Sequence, residues 1–514
     1  MDTTFVDCPV TVRSGETEDA ALPDHLLRLL LLVLNEFNRQ NLIYCYWKSR
    51  RRVHLTLSGD ADLDLLIARA DQHRARAILL GQGFKHFPDT ANRSHPALSS
   101  YLGYDEPSGR IVHVHLHFRL VVGEALFRNY RLPWEATLLE GAEFHPVLPI
   151  RVLDAASEAL LLAVRLSVEP SRMDPVAVRQ RHEMMRKFQL DRAELALILD
   201  RMTLTARARE VFPADLAEMI ADALLCGASL ECRSPLWRRI RRELAEHRTY
   251  AGAEARLRAS ARGILWAAGN ANRRVLHLPR PSSRRAPGGG CVIAVIGIDG
   301  SGKSTVAASI REWLGSEVDV MPIYFGTGDG RPSLFLLPLK MLVQMVAPVF
   351  KVKPRGASHG RISNRPPGIL YSLLLMVWAL AAALEKRSKL RAAHRGADRG
   401  VVVITDRYPQ NEDASYNDGP LLPRLTYAPR RLRRLEADFY ALGTRLRPDL
   451  VLRLEVSPET AARREPEMDE AVIRQRIETG RRLTFAGAHL VQVDAERPLA
   501  EVLRVAKHEI WALL

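Results

Sequence analysis

A short glycine-rich stretch constrains the fold of this chain more than any other feature. It follows Val292–Ile296, an unbroken apolar run of the kind that a buried parallel strand needs. Residues 297–304 then read GIDGSGKS, which fits the pattern G-x-x-x-x-G-K-[ST], and a helical pattern continues to Ile310. A strand, a glycine loop and a helix in this order predict a parallel α/β sheet with flanking helices in residues 291–514.

The residue types in this loop predict the binding of a nucleoside triphosphate such as ATP. Glycines allow successive backbone N–H groups and the helix N-terminus to face an anion. Lys303 can reach the β- and γ-phosphates, and the Ser304 hydroxyl can ligate Mg²⁺. The predicted ATP-binding residues are Gly297, Asp299, Gly300, Ser301, Gly302, Lys303, Ser304 and Thr305.

A second polar group stands at the end of another predicted strand. Val401–Thr405 is a buried-strand pattern that runs into Asp406, Arg407 and Tyr408. Ligand contacts in an α/β sheet lie at the carboxyl ends of its strands. Asp406 could therefore hold Mg²⁺ or orient an acceptor, and Arg407 suits a phosphate. The ring of Tyr408 could pack on a base or a sugar.

Residues 291–514 resemble thymidylate kinase and its relatives among the nucleoside-monophosphate kinases. The resemblance rests on four segments, GIDGSGKST (297–305), DRYPQNEDASYNDG (406–419), PDLVLRLEVSPETAARR (448–464) and VDAERPLAEVLRVAKHEIW (493–511). They are similar to the family's phosphate loop, its D-R-Y segment, its fourth strand with the start of a lid helix, and its closing strand with the last helix. The resemblance implies ATP-dependent phosphoryl transfer to a nucleoside monophosphate such as dTMP.

The resemblance also implies roles for single residues. Asp299 would contact the acceptor sugar, and Arg407 and Tyr408 would complete the acceptor site. Phosphoryl transfer needs positive charge over the γ-phosphate, and the phosphate loop contains no arginine, so we expect the lid to supply one. The first candidates are Arg463 and Arg464, and the second candidates, further along the lid, are Arg474 and Arg476. The predicted catalytic residues are Lys303, Asp406, Arg407, Arg463 and Arg464.

Two segments depart from the family's pattern. The family's second-strand loop carries Arg-Glu-Pro-Gly-Gly, which grips the acceptor, whereas residues 325–330 read FGTGDG. Two apolar stretches, 333–350 and 369–384, also flank a basic loop that begins at Lys351. In the family a helix at this place packs in the core and in a homodimer interface, and we expect the same here. The alternative is a re-entrant or peripheral contact of this segment with a membrane.

A separate candidate site lies near the N-terminus. Leu63–Ile67 is a strand pattern, and period-two geometry places the carboxylates of Asp62 and Asp64 on one face, where they could hold Mg²⁺. A G-x-x-D-x-D arrangement at a strand start resembles the nucleotidyltransferase fold, in which two such aspartates and a third carboxylate from a later strand bind the metal. The later strand here, Ile111–Phe118, carries three histidines and no carboxylate. Histidine can be a ligand or a base, so an active transferase and a site repurposed for binding both stay open.

A chain of 514 residues is too long for one hydrophobic core. We predict an α+β nucleotidyltransferase-like domain in residues 1–150, a helical segment in 151–277, a flexible linker in 278–290 and the P-loop domain in 291–514. The linker boundary rests on the Pro-, Ser-, Arg- and Gly-rich sequence LPRPSSRRAPGGG.

The amino-acid composition bears on the binding partners and on the cellular compartment that we expect for this chain. The net charge of +15 is spread along the chain and supports no prediction of nucleic-acid binding. Five scattered cysteines without C-x-x-C spacing predict no disulfide framework, no zinc site and a reducing, cytoplasmic location. The start MDTTFVDCPV lacks the basic region of a signal peptide.

These patterns favour one hypothesis and leave two alternatives. The favoured one is a cytoplasmic phosphotransferase that uses MgATP and a small phosphorylated acceptor. The first alternative is a nucleotide-regulated module that binds a membrane or a partner protein. The second is a nucleotidyltransferase that the kinase-like domain gates.

Overall fold

The structure of the chain is a computed structural model. It describes residues 25–124, 127–168, 175–226, 235–250, 252–326, 369–414, 416, 419–466 and 468–514. The predictions that lie outside the described residues concern the loop residues 327–330, the apolar stretch 333–350 and the basic loop from Lys351. Among the described helices, none combines the length and the apolar character that a membrane crossing requires.

The N-terminal region combines a mixed sheet with short helices. Its strands are β1 (Tyr44–Tyr46), β2 (Leu63–Ile67), β3 (Lys85–His86), β4 (Leu98–Asp105), β5 (Arg110–His117), β6 (Leu120–Glu124), β7 (Phe127–Leu132), β8 (Glu143–Phe144) and β9 (Arg151–Val152). Its helices are α1 (Arg28–Arg39), α2 (Val53–Leu57), α3 (Gln72–Gly81) and α4 (Glu135–Glu140).

In the described residues the main N-terminal sheet has the strand order β3-β4-β5-β2-β1-β9-β8, and β6 pairs with β7 separately. The central pair β2 and β5 is parallel, with Asp64 opposite His115, whereas β2 and β1 are antiparallel. Apolar residues of α1, including Leu30, Leu34 and Phe37, pack in the core beneath this sheet. This arrangement places the predicted Asp–His face in the middle of the sheet.

The middle of the chain is helical, as its pattern predicts. The helices are α5 (Ala155–Val168), α6 (Pro175–Ile198), α7 (Arg201–Arg209), α8 (Ala214–Leu225), α9 (Pro235–Glu243) and α10 (Gly252–Ala271). α5 is buried almost throughout, and its Leu160, Ala163 and Val164 share a core with Trp237 of α9. The basic residues of α9 therefore stand on a helix whose apolar side is in the core.

The C-terminal region is a parallel α/β sheet, as predicted. Its elements are β10 (Cys291–Gly297), α11 (Lys303–Gly315), β11 (Val320–Tyr324), α12 (Ile369–Ala397), β12 (Val402–Asp406), α13 (Arg430–Arg445), β13 (Leu450–Glu455), α14 (Pro458–Arg464), α15 (Glu470–Arg482), β14 (His489–Asp494) and α16 (Leu499–Leu513). The described sheet has the order β11-β12-β10-β13-β14, and every adjacent pair is parallel.

Strand β10 is the centre of this sheet and is buried on both faces. Because successive side chains alternate, Ile293 and Val295 pack with α11 and α16, whereas Val292, Ala294 and Ile296 pack with α12. The strand order reverses at β10, and such a switch point is where an open α/β sheet binds its ligands. The glycine loop begins at the end of this strand.

The stretch 278–290 corrects the prediction of a flexible linker. The backbone N–H groups of Ser282 and Ser283 both donate to Asp319 Oδ2, at 2.7 and 2.6 Å. On the other side, Thr90 N–H donates to Ser283 O at 2.8 Å, and Ala286 N–H donates to Gly400 O at 3.0 Å. Backbone hydrogen bonds thus fix this stretch against both halves of the chain, which composition alone does not reveal.

The two sheets also contact each other directly. Phe87 of the N-terminal region lies in the C-terminal core and stacks on Trp511, with ring centroids 6.2 Å apart. Lys85 Nζ donates to the Trp511 carbonyl at 2.5 Å, and Lys507 Nζ donates to the Gly109 carbonyl at 3.0 Å. Apolar packing and hydrogen bonds therefore join the two halves.

Candidate active site

Parallel pairing brings the two polar groups of the C-terminal sheet together. Strands β10 and β12 are neighbours, with Val295 opposite Asp406, so the glycine loop and the D-R-Y segment leave the same edge of the sheet. The Arg407 N–H extends this pairing by donating to Val295 O at 3.0 Å. The site is therefore built from two loops that follow neighbouring strands of a buried sheet.

Glycines shape the loop where side chains would not fit. Gly297 has φ of 151°, and a Cβ atom there would lie 2.8 Å from Leu454 O and 2.5 Å from Ser301 Oγ. Gly300 and Gly302 have φ of 82° and 87°, in the left-handed region that glycine adopts at least cost. The loop can therefore curl over the start of α11, whose N-terminal end faces the site.

Three cationic side chains converge on Asp299. Arg407 Nη2 lies 2.7 Å from Asp299 Oδ1, Arg476 Nη1 lies 3.2 Å from Oδ2, and Lys303 Nζ lies 3.5 Å from Oδ1. Lys303 Nζ also donates to the Ile298 carbonyl at 2.6 Å, within the loop itself. Burial lowers the pKa of Arg476, and the neighbouring guanidinium of Arg407 adds to that effect. Positive charge is thus concentrated over the loop.

Ser304 and Asp406, which the sequence predicts as ligands of Mg²⁺, lie side by side. The Ser304 hydroxyl lies 2.6 Å from Asp406 Oδ2, although the two residues are far apart in the chain. Asp406 Oδ1 is buried and hydrogen-bonds to no residue that the structure describes. A buried oxygen without a partner normally has a ligand or water beside it. These oxygen donors fit Mg²⁺, which prefers carboxylate, hydroxyl and phosphate oxygens.

Arg407 and Tyr408 have opposite environments. Arg407 has φ of 71°, which is rare for a residue with a side chain, and it points its guanidinium at Asp299. Tyr408 is only 1% exposed, and its ring packs against Phe325 and Phe485. Burial raises the pKa of Tyr408, and its hydroxyl donates to the Leu446 carbonyl. The structure therefore corrects the prediction of Tyr408 as an acceptor contact, because its ring is part of the core.

The structure separates the four candidate arginines. Arg464 Nη1 donates to the Gly300 carbonyl at 3.0 Å, so α14 reaches the loop. Arg463 instead donates to Thr460 Oγ1 in its own helix, at 3.1 Å. Arg474 pairs with Glu470 at 2.5 Å and is 63% exposed, whereas Arg476 reaches Asp299. The geometry thus favours Arg464 and Arg476 over Arg463 and Arg474.

The remaining predicted loop residues line α11 and its approach. Ser301 is 2% exposed, and its hydroxyl is buried with no hydrogen-bond partner among the described residues. Thr305 is exposed on the first turn of α11. Both hydroxyls stand where the loop passes into the helix.

The N-terminal candidate is a cluster of two aspartates and three histidines, which we call the Asp–His cluster. It consists of Asp62, Asp64, His113, His115 and His117. His117 Nε2 lies 2.8 Å from Asp64 Oδ1, and His115 Nδ1 lies 3.3 Å from the same oxygen. His113 Nδ1 lies 3.2 Å from Asp62 Oδ1. Pairing of β2 with β5 therefore brings together the two aspartates and the histidines, which occupy the place expected for a third carboxylate.

The surroundings of the Asp–His cluster lower the pKa of Asp64 and those of His113 and His117. Although burial opposes ionisation, Lys48 and the two nearest histidines hold the pKa of Asp64 well below its usual range. Burial lowers the pKa of His117 to about 3 and that of His113 to about 4. At neutral pH the cluster thus presents the ionised carboxylate of Asp64 and the unprotonated imidazoles of His113 and His117.

Two residues beside this cluster were not predicted from the sequence. Arg284 Nη2 lies 3.3 Å from His113 Nδ1, and Arg284 Nη1 donates to Glu317 Oε2 at 2.9 Å. Arg284 belongs to the stretch 278–290, and Glu317 follows α11. No local motif marks either residue, since their positions depend on how the two halves of the chain pack together.

Two of the curated proteins that this chain is similar to come from Escherichia coli K12. YghS of Escherichia coli K12, described as an ATP-binding protein, is 31% identical over 228 residues, which are 43% of this chain and 93% of YghS. YghR of the same organism, also described as an ATP-binding protein, is 28% identical over 242 residues, which are 45% of this chain and 89% of YghR. No known protein-family model matches the chain.

Two solved structures show remote similarity to this chain. A deoxyadenosine kinase of M. mycoides, solved with dCMP and dCDP, is 19% identical and covers 43% of this chain and 99% of its own. The same kinase with dCTP is 18% identical with similar coverage. The TM-scores of 0.27 and 0.25 are too low to support a structural inference.

Proposed function

The chain belongs to the same family as the E. coli protein YghS, and from that premise we propose that its C-terminal region binds ATP and transfers the γ-phosphoryl group to a phosphorylated acceptor. One observation carries the proposal. The loop lysine Lys303, the hydroxyl of Ser304 and the carboxylate of Asp406 meet at one edge of a parallel sheet, beside Arg407. This set contains the recurring parts of a phosphoryl-transfer site.

The donor half of the site would bind the triphosphate. Backbone N–H groups of the loop and the N-terminus of α11 attract phosphate oxygens. Lys303 is already directed at the loop interior, within hydrogen-bond distance of the Ile298 carbonyl. On ATP binding we expect Lys303 to exchange that carbonyl for the β- and γ-phosphate oxygens.

Ser304 and Asp406 would hold Mg²⁺, whose fit here rests on the buried, unpartnered Oδ1 atom of Asp406. When bound, Mg²⁺ neutralises charge on the phosphate oxygens. The structural task of the two residues is to fix the position of these oxygens relative to Lys303. The hydrogen bond of 2.6 Å between them shows that both side chains already point at one place.

The acceptor half would use Arg407 and Asp299, with a nucleoside monophosphate such as dTMP as the acceptor. Arg407 could bind the acceptor phosphate bidentately, and Asp299 could accept a hydrogen bond from a sugar hydroxyl. Arg476 and Arg464 lie on the lid side of the same loop and could stabilise charge on the transferring group. Tyr408 has no part in this proposal because its ring is buried.

A screen of acceptors tests this function. Purified full-length chain with γ-labelled ATP and Mg²⁺ is incubated with each nucleoside monophosphate and with sugar phosphates. We expect label in a nucleoside monophosphate, and Lys303→Ala should lower the rate by roughly 100-fold or more, since it removes a charge aimed at the transferring phosphate. The control is Lys187→Ala, which changes a surface lysine paired with Glu183 on α6.

The same experiment can contradict the proposal. Hydrolysis of ATP without label in any acceptor would favour a nucleotide-regulated module instead. An equal rate in the wild-type chain and Lys303→Ala would exclude the glycine loop as the donor site. Nucleotidyl transfer is not part of the proposal, because histidines stand where that fold has its third carboxylate.

A further inference from the structure

The Asp–His cluster has an enclosed half and an open half. The enclosed half is Asp64, His115 and His117, whose side chains are 14%, 15% and 3% exposed. The open half adds Asp62, which is 50% exposed, and His113. The two halves share the Nδ1 atom of His115, which has a single lone pair to offer. The cluster can therefore use His115 for one ion, not for two.

We propose that Asp64, His115 and His117 bind one first-row transition-metal dication, with Zn²⁺ as the representative ion. Two imidazole nitrogens and one carboxylate oxygen are a ligand set for zinc and its neighbours, whereas Mg²⁺ prefers oxygen ligands alone. The proposal does not depend on the function proposed for the C-terminal region, because it concerns a different sheet.

The spacing of the donor atoms supports this choice. Tetrahedral zinc with bonds of about 2.0 to 2.1 Å places its ligand atoms about 3.3 Å apart. Asp64 Oδ1 is 3.3 Å from His115 Nδ1 and 2.8 Å from His117 Nε2. All three donor atoms lie within 4.8 Å of one another. Small side-chain shifts would thus admit an ion, and the strand pairing already fixes the backbone.

A cation lies beside each half of the cluster, and the atoms that it contacts favour the enclosed half as the site. Arg284 Nη2 lies 3.3 Å from His113 Nδ1, so a guanidinium competes with any cation in the open half. The enclosed half faces Lys48, whose Nζ is 4.0 Å from Asp64 Oδ2, the oxygen that the proposed ion does not need.

Three protein ligands leave a fourth position for water or a substrate atom. Catalytic zinc sites have this form, whereas structural sites are closed by four protein ligands. Asp62 Oδ2 lies 3.9 Å from His115 Nδ1, so this carboxylate could accept a hydrogen bond from a bound water. The cluster would therefore differ in ion, ligand set and number of ions from a magnesium site made by carboxylates alone.

Metal titration of the full-length chain tests the proposal. The chain is stripped with a chelator and titrated with Zn²⁺ against a chromophoric zinc indicator. We expect one equivalent to bind, and a ~1,000-fold excess of Mg²⁺ should not displace it. His117→Ala and Asp64→Asn should each weaken Zn²⁺ binding by roughly 100-fold, because the first removes a ligand and the second removes the negative charge of a ligand. His113→Ala is the matched control and should change the Kd by less than about tenfold, because His113 packs against His115 but is not itself a ligand.

A second measurement uses the wild-type chain alone, in case a variant does not fold. Co²⁺ in a site with two imidazoles should give the intense visible bands of low-coordinate cobalt, and Zn²⁺ should abolish them. A weak spectrum typical of six oxygen ligands would overturn the proposal. So would Zn²⁺ binding that His113→Ala weakens as much as His117→Ala does.

Discussion

The two polar sites of this molecule use the same structural device with opposite charge. In each, two neighbouring parallel strands carry their side chains to one place, β10 with β12 and β2 with β5. At the first pair, Lys303, Arg407 and Arg476 surround the carboxylate of Asp299. At the second pair, two carboxylates meet three histidines. Parallel pairing therefore creates a site, and the residue types decide whether it suits a phosphate or a cation.

The largest effect is expected when one aspartate of each site is changed to asparagine. These two variants should separate phosphoryl transfer from metal binding. Asp406→Asn removes a charge beside Ser304 and should lower phosphoryl transfer by roughly 100- to 1,000-fold. Asp64→Asn should leave that rate within about twofold of wild type, because Asp64 belongs to the other sheet. Both are measured as initial rates at saturating ATP, with Zn²⁺ binding as the second readout. A loss of phosphoryl transfer in Asp64→Asn would show that the two sites act as one.

A smaller effect is expected from two arginines of α15, of which only one contacts the phosphate site. Arg476→Ala removes a guanidinium that lies 3.2 Å from Asp299, and kcat should fall by roughly 10- to 100-fold. Arg474→Ala, two residues earlier, removes an exposed arginine paired with Glu470 and should have less than about twofold effect. Steady-state kinetics with the acceptor found in the screen measure both. Equal losses would assign the effect to α15 as a whole and not to Arg476.

Substitution of Gly297 should have a moderate effect, mainly on the free energy of unfolding. Gly297→Ala places a Cβ atom 2.8 Å from the Leu454 carbonyl at φ of 151°, and should cost about 1 to 3 kcal/mol of unfolding free energy. Gly315→Ala at the end of α11 is the control, since a Cβ atom there meets nothing within 4 Å. Denaturant unfolding measures both variants. A neutral Gly297→Ala would mean that the loop adopts another conformation.

Sequence alone predicts the C-terminal site better than the N-terminal one, for a physical reason. Residues 297–304 are contiguous, so their spacing already encodes a strand, a turn and a helix start. The Asp–His cluster depends on register, because Asp64 meets His115 only when β2 and β5 pair in parallel. Period-two alternation places the histidines on one face, but it does not choose their partner strand.

Burial and long-range packing account for the remaining differences between the sequence predictions and the structure. Tyr408 follows two residues of the site, yet its ring faces the core because Phe325 and Phe485 surround it. Arg476 reaches Asp299 through the placement of α15, which no local pattern encodes. The stretch 278–290 has the composition of a linker but is fixed by Asp319 and Gly400. Each of these outcomes depends on residues distant in the chain.

The smallest expected effect concerns the acid sensitivity of the N-terminal region. His95 Nδ1 is buried without a hydrogen-bond partner among the described residues. Burial lowers the pKa of His95 to about 2, and the positive charges of Arg128 and Arg262 act in the same direction. Below its ordinary pKa near 6.5, the unfolded chain therefore binds a proton that the folded chain does not. Folding should lose stability as the pH falls from about 6.5 towards 2, by less than about 1.4 kcal/mol per pH unit for this one residue.

His95→Gln removes this titration while keeping a polar side chain, so the loss of stability between about pH 7 and about pH 5 should become smaller. The measurement is urea unfolding at both pH values with a chelator present, so that metal release does not contribute. His489→Gln, on the exposed edge strand β14, is the control and should keep the wild-type pH dependence. An unchanged slope in His95→Gln would place the acid sensitivity elsewhere. The expected change in unfolding free energy is smaller than the effect of the variants at the phosphate site. The experiment therefore tests whether a histidine without a ligand-binding role makes the N-terminal sheet sensitive to acid through its burial alone.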